Sequence, residues 1–229
     1  MMKWYERVDR ERPAVISSRI RLVRNWNQYV FPSRLTPDAG EEMIRQLKYG
    51  LRELGTADGR DYEYEDLQKL SELDKKALRE RRVINSTIAA KKTPAGLILS
   101  EEEDAGIVLN GTDHIRIQLL SAGMHLEELW KQADRIDDFI NEKFEYAFDE
   151  KYGYLTSFPT NMGTGLRASV VLHLPSLSMG KKFHGLTSEM SRFGATVRSV
   201  YGDENENYGA LYEVSNQKTL GISEKEILD

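Results

Sequence analysis

The stretch SSRIRLVR, residues 17–24, alternates polar and apolar side chains along most of its length. Successive side chains of a β-strand point to opposite faces, so Arg19 and Arg21 share one face while Ile20 and Leu22 share the other. The alternation therefore predicts a strand with one apolar face against a core and one cationic face. Such strands are typical of an antiparallel sheet with one wet face.

Three later stretches repeat this alternation and add further arginines. They are DHIRIQ (113–118), LRASVV (166–171) and ATVRSVY (195–201), whose polar positions include His114, Arg116, Gln118, Arg167, Ser169 and Arg198. For a single arginine, an outward position on a wet sheet face is the simpler interpretation. Five arginines spread over four predicted strands favour one shared cationic surface, named here the arginine platform, which comprises Arg19, Arg21, Arg116, Arg167 and Arg198. Guanidinium groups stay charged and contact phosphate oxygens in pairs, so we expect the platform to bind a triphosphate.

Periodicity divides the rest of the chain into helices and strands. Apolar residues at helical spacing predict helices after Thr36 and over residues 67–78, 126–144 and 176–193. Short β-branched runs predict strands over residues 82–89, 96–100, 105–110, 114–120, 166–174, 195–201 and 210–214. Asn110-Gly111 predicts a two-residue hairpin turn, and residues 55–61 a loop between two helices. Strands joined mostly by hairpins, with helices between groups, predict an α+β fold with a large antiparallel sheet, in one domain of residues 1–229.

Composition excludes several classes of function. The 229 residues contain 32 Lys+Arg against 37 Asp+Glu, and a net charge of −5 argues against a nucleic-acid partner. The chain contains no cysteine, which excludes thiolate metal sites and cysteine nucleophiles. No apolar run approaches the roughly 18 residues of a membrane span, and the first residues lack a secretory signal. We therefore expect a cytoplasmic protein with no membrane partner.

Several sequence blocks together resemble the ATP:guanidino phosphotransferases, or phosphagen kinases, in the same order along the chain. The blocks are SSRIR (17–21), DHIR (113–116), PTNMGT with RASV (159–164 and 167–170), and EVSNQ with TLG (213–217 and 219–221). The likeness covers about residues 16–224 and is greatest to the bacterial protein-arginine kinases. It implies a catalytic domain of the phosphagen kinase and glutamine synthetase type, with helices flanking the sheet. We expect this domain, like the bacterial kinases, to lack the small N-terminal domain of creatine and arginine kinases and, unlike the bacterial kinases, to lack a helical C-terminal extension.

The resemblance further implies a reaction and a set of site residues. The reaction is phosphoryl transfer from ATP, with magnesium carried by the nucleotide and no protein metal site, to the guanidinium of an arginine-containing protein. The implied nucleotide-binding residues are Ser17, Ser18, Arg19, Ile20, Arg21, Arg116, Arg167, Ala168, Ser169, Val170, Val171, Arg198, Ser199, Val200, Tyr201, Gly202 and Asp203. Glu206 matches a carboxylate that grips the substrate guanidinium through paired hydrogen bonds. Another interpretation of Glu206 is one more acid in a solvated acidic loop.

Two catalytic positions depart from the family pattern. Thr112 stands where the family has the glutamate that orients and deprotonates the guanidinium, and a threonine hydroxyl accepts no proton near neutral pH. Phe158 stands where the family has a cysteine, and we expect its ring to fill space meant for substrate. Residues 81–86 lack the histidine that the bacterial kinases place beside adenine. The chain also stops at Asp229, inside the expected last helix of the catalytic domain.

Three functions remain open from the sequence. The first is a protein-arginine kinase whose activity is weakened by Thr112 and Phe158. The second is a pseudokinase that binds nucleotide or phosphoarginine and regulates a partner. The third, a structural domain with no ligand, requires the five arginines to point to unrelated places. Retention of the arginines favours nucleotide binding, while loss of the guanidinium-side groups favours weak or absent turnover.

Overall fold

The computed structural model describes residues 2–179, 183–201 and 208–229. Ten strands are present in these ranges: β1 (Val15–Arg24), β2 (Tyr62–Asp66), β3 (Gly96–Ser100), β4 (Ala105–Leu109), β5 (Ile115–Ala122), β6 (Phe148–Asp149), β7 (Gly153–Tyr154), β8 (Leu166–His173), β9 (Ala195–Ser199) and β10 (Leu211–Asn216). Eight of them form one antiparallel sheet in the order β2-β3-β4-β5-β1-β8-β10-β9, and β6 pairs with β7. The predicted large antiparallel sheet is thus confirmed.

Helices flank this sheet. The described residues form α1 (Pro37–Gly50), α2 (Leu54–Asp58), α3 (Glu72–Glu80), α4 (Ser86–Ala89), α5 (Leu126–Asn141), α6 (Pro175–Ser178), α7 (Phe183–Arg192) and α8 (Glu224–Leu228). The start of α1 follows from two residues: the Thr36 side chain accepts a hydrogen bond from the Ala39 N–H, and Pro37 occupies the first helical position. Among the described helices, none has the length and apolar character to cross a bilayer.

The main core lies between one face of the sheet and the helices α1 and α5. Alternate side chains of β1, β4, β5 and β8 point into it, together with one stripe from each helix. Members include Ile20, Leu22, Ile107, Ile117, Leu119, Ala168, Leu47 and Ile136. Ile20 lies opposite Leu119 on one side and Ala168 on the other, so three strands contribute to the same layer. This face is the apolar one that the alternation predicts.

The opposite face of the sheet is covered over β3 and β4 by residues 67–95, here called the covering segment. Leu78 of α3 and Ile88 of α4 pack on Leu97 and Val108 in a second apolar cluster. From β5 onward, the same face carries the arginine-bearing positions. The edge of the covering segment therefore forms one side of a cleft that runs along the polar half of the sheet.

The strand predicted for residues 82–89 is wrong. Arg82 adopts a left-handed backbone conformation with φ of 65°, and Asn85 then caps α4 by accepting a hydrogen bond of 2.9 Å from the Ile88 N–H. Val83 and Ile88 are buried in the second apolar cluster. Their β-branched character therefore reflects packing of the covering segment and not strand pairing.

Two predicted connections also differ from the structure. Residues 55–61 contain most of α2 and lead into β2, a strand that the sequence analysis did not predict. The connection between β4 and β5 has five residues, 110–114, instead of two. Asn110, with φ of 53°, begins this loop, and its N–H donates to the His114 carbonyl at 2.7 Å. The hairpin is therefore present, but its turn is longer than Asn110-Gly111 indicates.

Candidate functional site: an arginine-lined cleft

The polar face of the sheet brings the arginines of β1, β5 and β8 together. Arg21 lies directly opposite Arg167, and Arg116 lies opposite Val23, the next residue on the same face of β1. Arg19 precedes Arg21 by two residues, or about 7 Å along the strand. Because cross-strand partners share a face, these four guanidinium groups project from the same side of the sheet.

Arg198 joins this face from the edge strand β9. It lies opposite Glu213 of β10, which in turn lies opposite Val171 of β8 and, beyond it, Ser17 of β1. The register places Arg198 on the same side of the sheet as Arg19, at the end farther from Arg21. Its side chain is exposed. All five arginines of the arginine platform therefore lie on one surface.

Three platform arginines that are buried or half-buried, Arg21, Arg116 and Arg167, have no carboxylate partner among the described residues. Arg21 donates to the Asn161 side chain at 3.4 Å, Arg116 to the Gln118 side chain at 2.8 Å, and Arg167 to a backbone carbonyl at 2.9 Å. Arg116 is only 4% exposed. The Nε atoms of Arg21 and Arg116 are buried and have no hydrogen-bond partner within the ranges that the structure describes.

Burial and mutual repulsion lower the pKa values of these three groups. Burial, followed by the charges of Arg19 and Arg167, lowers the pKa of Arg21 to about 10. Burial, then Arg21 and Arg19, lowers the pKa of Arg116 well below its ordinary value. Burial, then Arg198, also lowers the pKa of Arg167. Buried charges in proteins are ordinarily paired, and the charge of Glu213 offsets these three only in part, so the cluster is suited to an anion.

Arg19, by contrast, is paired with a carboxylate of the protein. One of its terminal nitrogens contacts both oxygens of Glu213, at 2.9 and 2.8 Å. Arg82 of the covering segment also donates to Glu213, and to the Ser17 hydroxyl at 3.1 Å. Burial raises the pKa of Glu213, but the charges of Arg19 and Arg82 outweigh it and hold that pKa below its ordinary value. Glu213 is therefore an internal counter-ion of the platform.

A cleft of about 660 Å³ lies over this end of the platform. Its floor includes Arg19, Arg116 and Glu213, and its sides are the covering segment and residues 198–201. The Tyr201 hydroxyl donates to the Glu80 carbonyl at 3.0 Å and so connects the two sides. The cleft is therefore cationic at its base and bordered by two separate parts of the chain.

Some predicted nucleotide-binding residues lie on the other face of the sheet. Ile20 and Ala168 belong to the main core, and Val170 shares their face by alternation. The Ser18 hydroxyl donates to the Gly123 carbonyl and accepts from the His125 N–H, away from the cleft. Ser169 lies on the platform face and accepts a hydrogen bond of 3.3 Å from Arg19. Gly202, Asp203 and Glu206 lie outside the described residues.

Residues 156–165, here called the signature loop, lie at the Arg21 end of the platform. Thr219, which is 3% exposed, donates its hydroxyl toward the carbonyls of Met162 at 2.7 Å and Thr160 at 3.1 Å. Its own carbonyl accepts from the Thr164 N–H at 2.9 Å. Gly163 has φ of 104°, and a β-carbon there would collide with the Thr219 carbonyl. Thr219 therefore fixes the loop that carries Asn161 to Arg21.

We expect Thr219→Val to lower the free energy of unfolding by about 1–2 kcal/mol, because the substitution keeps the volume and removes the loop's hydroxyl donor. Urea unfolding measures this loss, with Thr93→Val on an exposed loop as the matched control. An unfolding free energy equal to that of the wild type would show that Thr219 does not secure the signature loop.

Arg24 supports the signature loop from the core side of the sheet. It is 1% exposed and donates to Asp137 of α5 at 2.7 and 3.1 Å. It also donates to the Thr164 carbonyl at 2.9 Å, and its guanidinium carbon lies 3.6 Å from the Tyr154 ring centre. A β-carbon on Gly165 would collide with this guanidinium. The last arginine of β1 is therefore a positioning residue for the loop and not part of the platform.

The loop between β4 and β5 contains Thr112, the expected position of the catalytic glutamate. Thr112 is half-buried, and its hydroxyl lies 3.5 Å from an oxygen of the fully buried Asp113. Asp113 accepts hydrogen bonds from the Asn25 side chain at 2.8 Å and from the Ser157 N–H at 2.7 Å. Asp113 thus joins this loop to the signature loop. Phe158 of the signature loop is 51% exposed.

The prediction that His114 shares the polar face is wrong. His114 precedes β5 and is fully buried. Its Nδ1 accepts from the Trp26 N–H at 3.0 Å, and its Nε2 donates to the Val30 carbonyl at 2.9 Å. These two partners fix a neutral ring with the proton on Nε2, in agreement with a pKa lowered mainly by burial. His114 therefore secures residues 26–30 and does not face the cleft.

A sheet with this topology, bearing a cluster of uncompensated arginines on one face, defines a candidate phosphate-transfer domain. The sequence model described as "ATP:guanido phosphotransferase, C-terminal catalytic domain" matches residues 42–229. The chain belongs to this family. In the described residues, no group of three or more histidine, aspartate or glutamate side chains is arranged to hold a metal ion.

Curated relatives within the family carry the name protein-arginine kinase. The protein of that name from Caldanaerobacter subterraneus subsp. tengcongensis is 38% identical over 219 residues, which are 96% of this chain and 65% of the relative. The one from Clostridium acetobutylicum is 38% identical over 229 residues, or 100% of this chain and 67% of the relative. The chain thus spans about two thirds of the length of these relatives.

Solved structures of phosphagen kinases share the fold. The duplicated taurocyamine kinase from Schistosoma mansoni with bound transition-state analogue components superimposes with a TM-score of 0.81 at 24% identity, covering 94% of this chain and 31% of that chain. Lombricine kinase superimposes with a TM-score of 0.76 at 24% identity, covering 93% of this chain and 62% of that chain.

Proposed function

We propose that this domain binds Mg-ATP on the arginine platform and transfers its terminal phosphoryl group to the guanidinium of a protein arginine. The observation that carries the proposal is the cluster of Arg21, Arg116 and Arg167, which is buried or half-buried with no carboxylate partner in the described part of the chain. A polyphosphate supplies the missing negative charge. The proposed acceptor, an arginine of a protein, is taken from the name of the curated relatives, protein-arginine kinase. The proposal treats residues 1–229 as one catalytic domain in the cytoplasm.

The platform fits the electrostatic requirement of phosphoryl transfer. That reaction depends on positioning and on stabilising charge spread over the transferring group, with little covalent work for the protein. Arg21 of β1 and Arg167 of β8 lie directly opposite each other on adjacent strands, and the Nε of Arg21 has no hydrogen-bond partner among the described residues. Fixed guanidinium groups in a partly dry cleft stabilise such charge more strongly than mobile water does. Magnesium, carried by the nucleotide, neutralises part of the phosphate charge.

The residues at the positions expected to contact the acceptor guanidinium support only weak turnover. Thr112 brings no carboxylate to the guanidinium, and Asp113 is already engaged by Asn25 and Ser157. Removing an orienting base typically costs about 10²–10⁴-fold in rate. The second candidate function, a pseudokinase that binds nucleotide or phosphoarginine and regulates a partner, is favoured by these same residues and by Phe158.

Calorimetric titration with ATP, with and without magnesium, tests the nucleotide site. We expect saturable binding by the wild type, loss of most affinity in Arg167→Ala, and wild-type affinity in Arg135→Ala. Arg135 is an exposed residue of α5, on the other face of the sheet, and so is the matched control. Equal affinity of the wild type and Arg167→Ala would remove the proposal.

Incubation with Mg-ATP and an arginine-rich protein then separates the two candidate functions. Acid-labile phosphate on the acceptor, formed slowly at high enzyme loading, supports the kinase. Nucleotide binding without any acid-labile phosphate supports the pseudokinase.

A further inference from the structure

Glu213 occupies a position on the platform that an anionic ligand could otherwise fill. Its carboxylate contacts Arg19 at 2.8 and 2.9 Å and also accepts a hydrogen bond from Arg82. Arg19 and Arg82 are only 13% and 11% exposed, so their charges are largely shielded from water. Two buried cations thus share one carboxylate of the protein itself.

The compensated and uncompensated parts of the platform are adjacent. Arg21 and Arg167 have no carboxylate partner among the described residues. They face each other two residues along the strands from Arg19, on the same face of the sheet. Glu213 lies beyond Arg19, at the level of Ser17 and Val171. A short anion placed on Arg21, Arg116 and Arg167 leaves the Glu213 contacts intact. A longer polyanion that extends along β1 meets Arg19 where one of its terminal nitrogens is held by Glu213, and so competes with the carboxylate.

We propose that Glu213 is a built-in competitor for the ligand's phosphate groups and determines how many of them the platform holds tightly. This inference rests on the proposed function, because it requires phosphate to bind at Arg21, Arg116 and Arg167. In the wild-type protein, phosphate groups beyond those held by these three arginines gain little affinity, since they compete with Glu213 for Arg19. Glu213 thereby favours short phosphate chains over long ones.

Removing the charge of Glu213 should strengthen the binding of long phosphate chains more than that of short ones. Glu213→Gln keeps the side-chain length but cannot neutralise Arg19 and Arg82, which become available to the ligand. Hydrogen bonds between charged groups contribute enough for about a tenfold gain in affinity. We expect this gain for inorganic triphosphate, a smaller gain for pyrophosphate, and less than about a twofold change for orthophosphate.

The test is calorimetry of these three inorganic anions with the wild type, Glu213→Gln and Glu65→Gln. Glu65 is exposed on β2, at the opposite edge of the sheet, and its substitution removes the same charge far from the platform. Glu65→Gln should match the wild type for all three anions. Glu213→Asp, whose shorter side chain weakens the contact with Arg19 while keeping a charge, should show an intermediate gain for triphosphate. It also provides the test if Glu213→Gln does not fold.

Two results would overturn the inference. Equal gains for all three anions would show a general charge effect, and weaker triphosphate binding in both Glu213 variants would show that the carboxylate positions Arg19 for the ligand. Failure of the proposed function is distinguishable from both. If the proposed function is wrong, the wild type and Arg167→Ala bind triphosphate with equal affinity. If only the inference on Glu213 is wrong, Arg167→Ala still weakens triphosphate binding and only the expected effect of the Glu213 variants is missing.

Discussion

Arg116→Met should weaken triphosphate and ATP binding by about 10²–10³-fold, while making the ligand-free protein more stable. The binding loss follows because truncating a buried charged contact costs about 2–5 kcal/mol. The stability gain follows because Arg116 is buried beside Arg19 and Arg21 without a described carboxylate, and its pKa is already depressed. Replacing such a charge with an apolar side chain of similar length should stabilise the fold by about 1–3 kcal/mol.

Calorimetry and thermal unfolding of the same samples measure the two effects. Arg135→Met on the exposed face of α5 is the control and should change neither quantity. A lower melting temperature with unchanged binding would mean that Arg116 is an ordinary structural residue. Opposite changes in binding and stability identify a residue retained for a ligand at the expense of the fold.

Thr112→Glu should raise the rate of phosphoryl transfer to protein arginine by about 10²-fold or more. The new carboxylate would lie in the β4–β5 loop, where it can orient a guanidinium and accept its proton. Asp113, the adjacent buried carboxylate, would raise the pKa of the introduced glutamate, because like charges disfavour ionisation of both. A base with a raised pKa is better matched to proton transfer near neutral pH.

Formation of acid-labile phosphate on an arginine-rich protein measures this gain. Thr112→Gln, which has the same length and no charge, is the matched control and should remain at the wild-type rate. Equal rates for the glutamate and glutamine variants would show that the missing carboxylate is not what limits turnover. Phe158 would then be the first alternative to test.

Alternation along the strands accounts for most of what the sequence predicted correctly. Arg19 and Arg21 are two residues apart on β1, and the period of a strand places them on one face whatever the neighbours are. The apolar partners Ile20 and Leu22 then determine which face is buried. Local spacing therefore sufficed for the face on which each platform arginine lies, but not for β2, which it missed, or for residues 82–89, which it wrongly made a strand.

Arg82 could not be found in this way, because the strand predicted for residues 82–89 does not form. It lies in a turn with φ of 65°, and its place above Ser17 depends on how the covering segment packs on β3 and β4. Its partner Glu213 is 131 residues away in the chain. The contact between Arg82 and Glu213 depends on tertiary packing, which the alternation of side chains along a strand does not predict.

The β4–β5 loop shows a different limit of sequence patterns. Asn110-Gly111 is a strong signal for a two-residue turn, but Asn110 instead begins a five-residue loop closed on His114. The burial of Asp113 and His114 against residues 25–30 requires the longer loop. Tertiary hydrogen bonds outweighed the local turn preference, and they positioned Thr112 beside the signature loop.

Structure determination of the protein with Mg²⁺ and a non-hydrolysable ATP analogue tests the central claim most directly. We expect the phosphate groups to lie among Arg21, Arg116 and Arg167, with each of these guanidinium groups donating to a phosphate oxygen. Phosphate groups bound elsewhere, with these three arginines paired to carboxylates of the protein, would contradict the account.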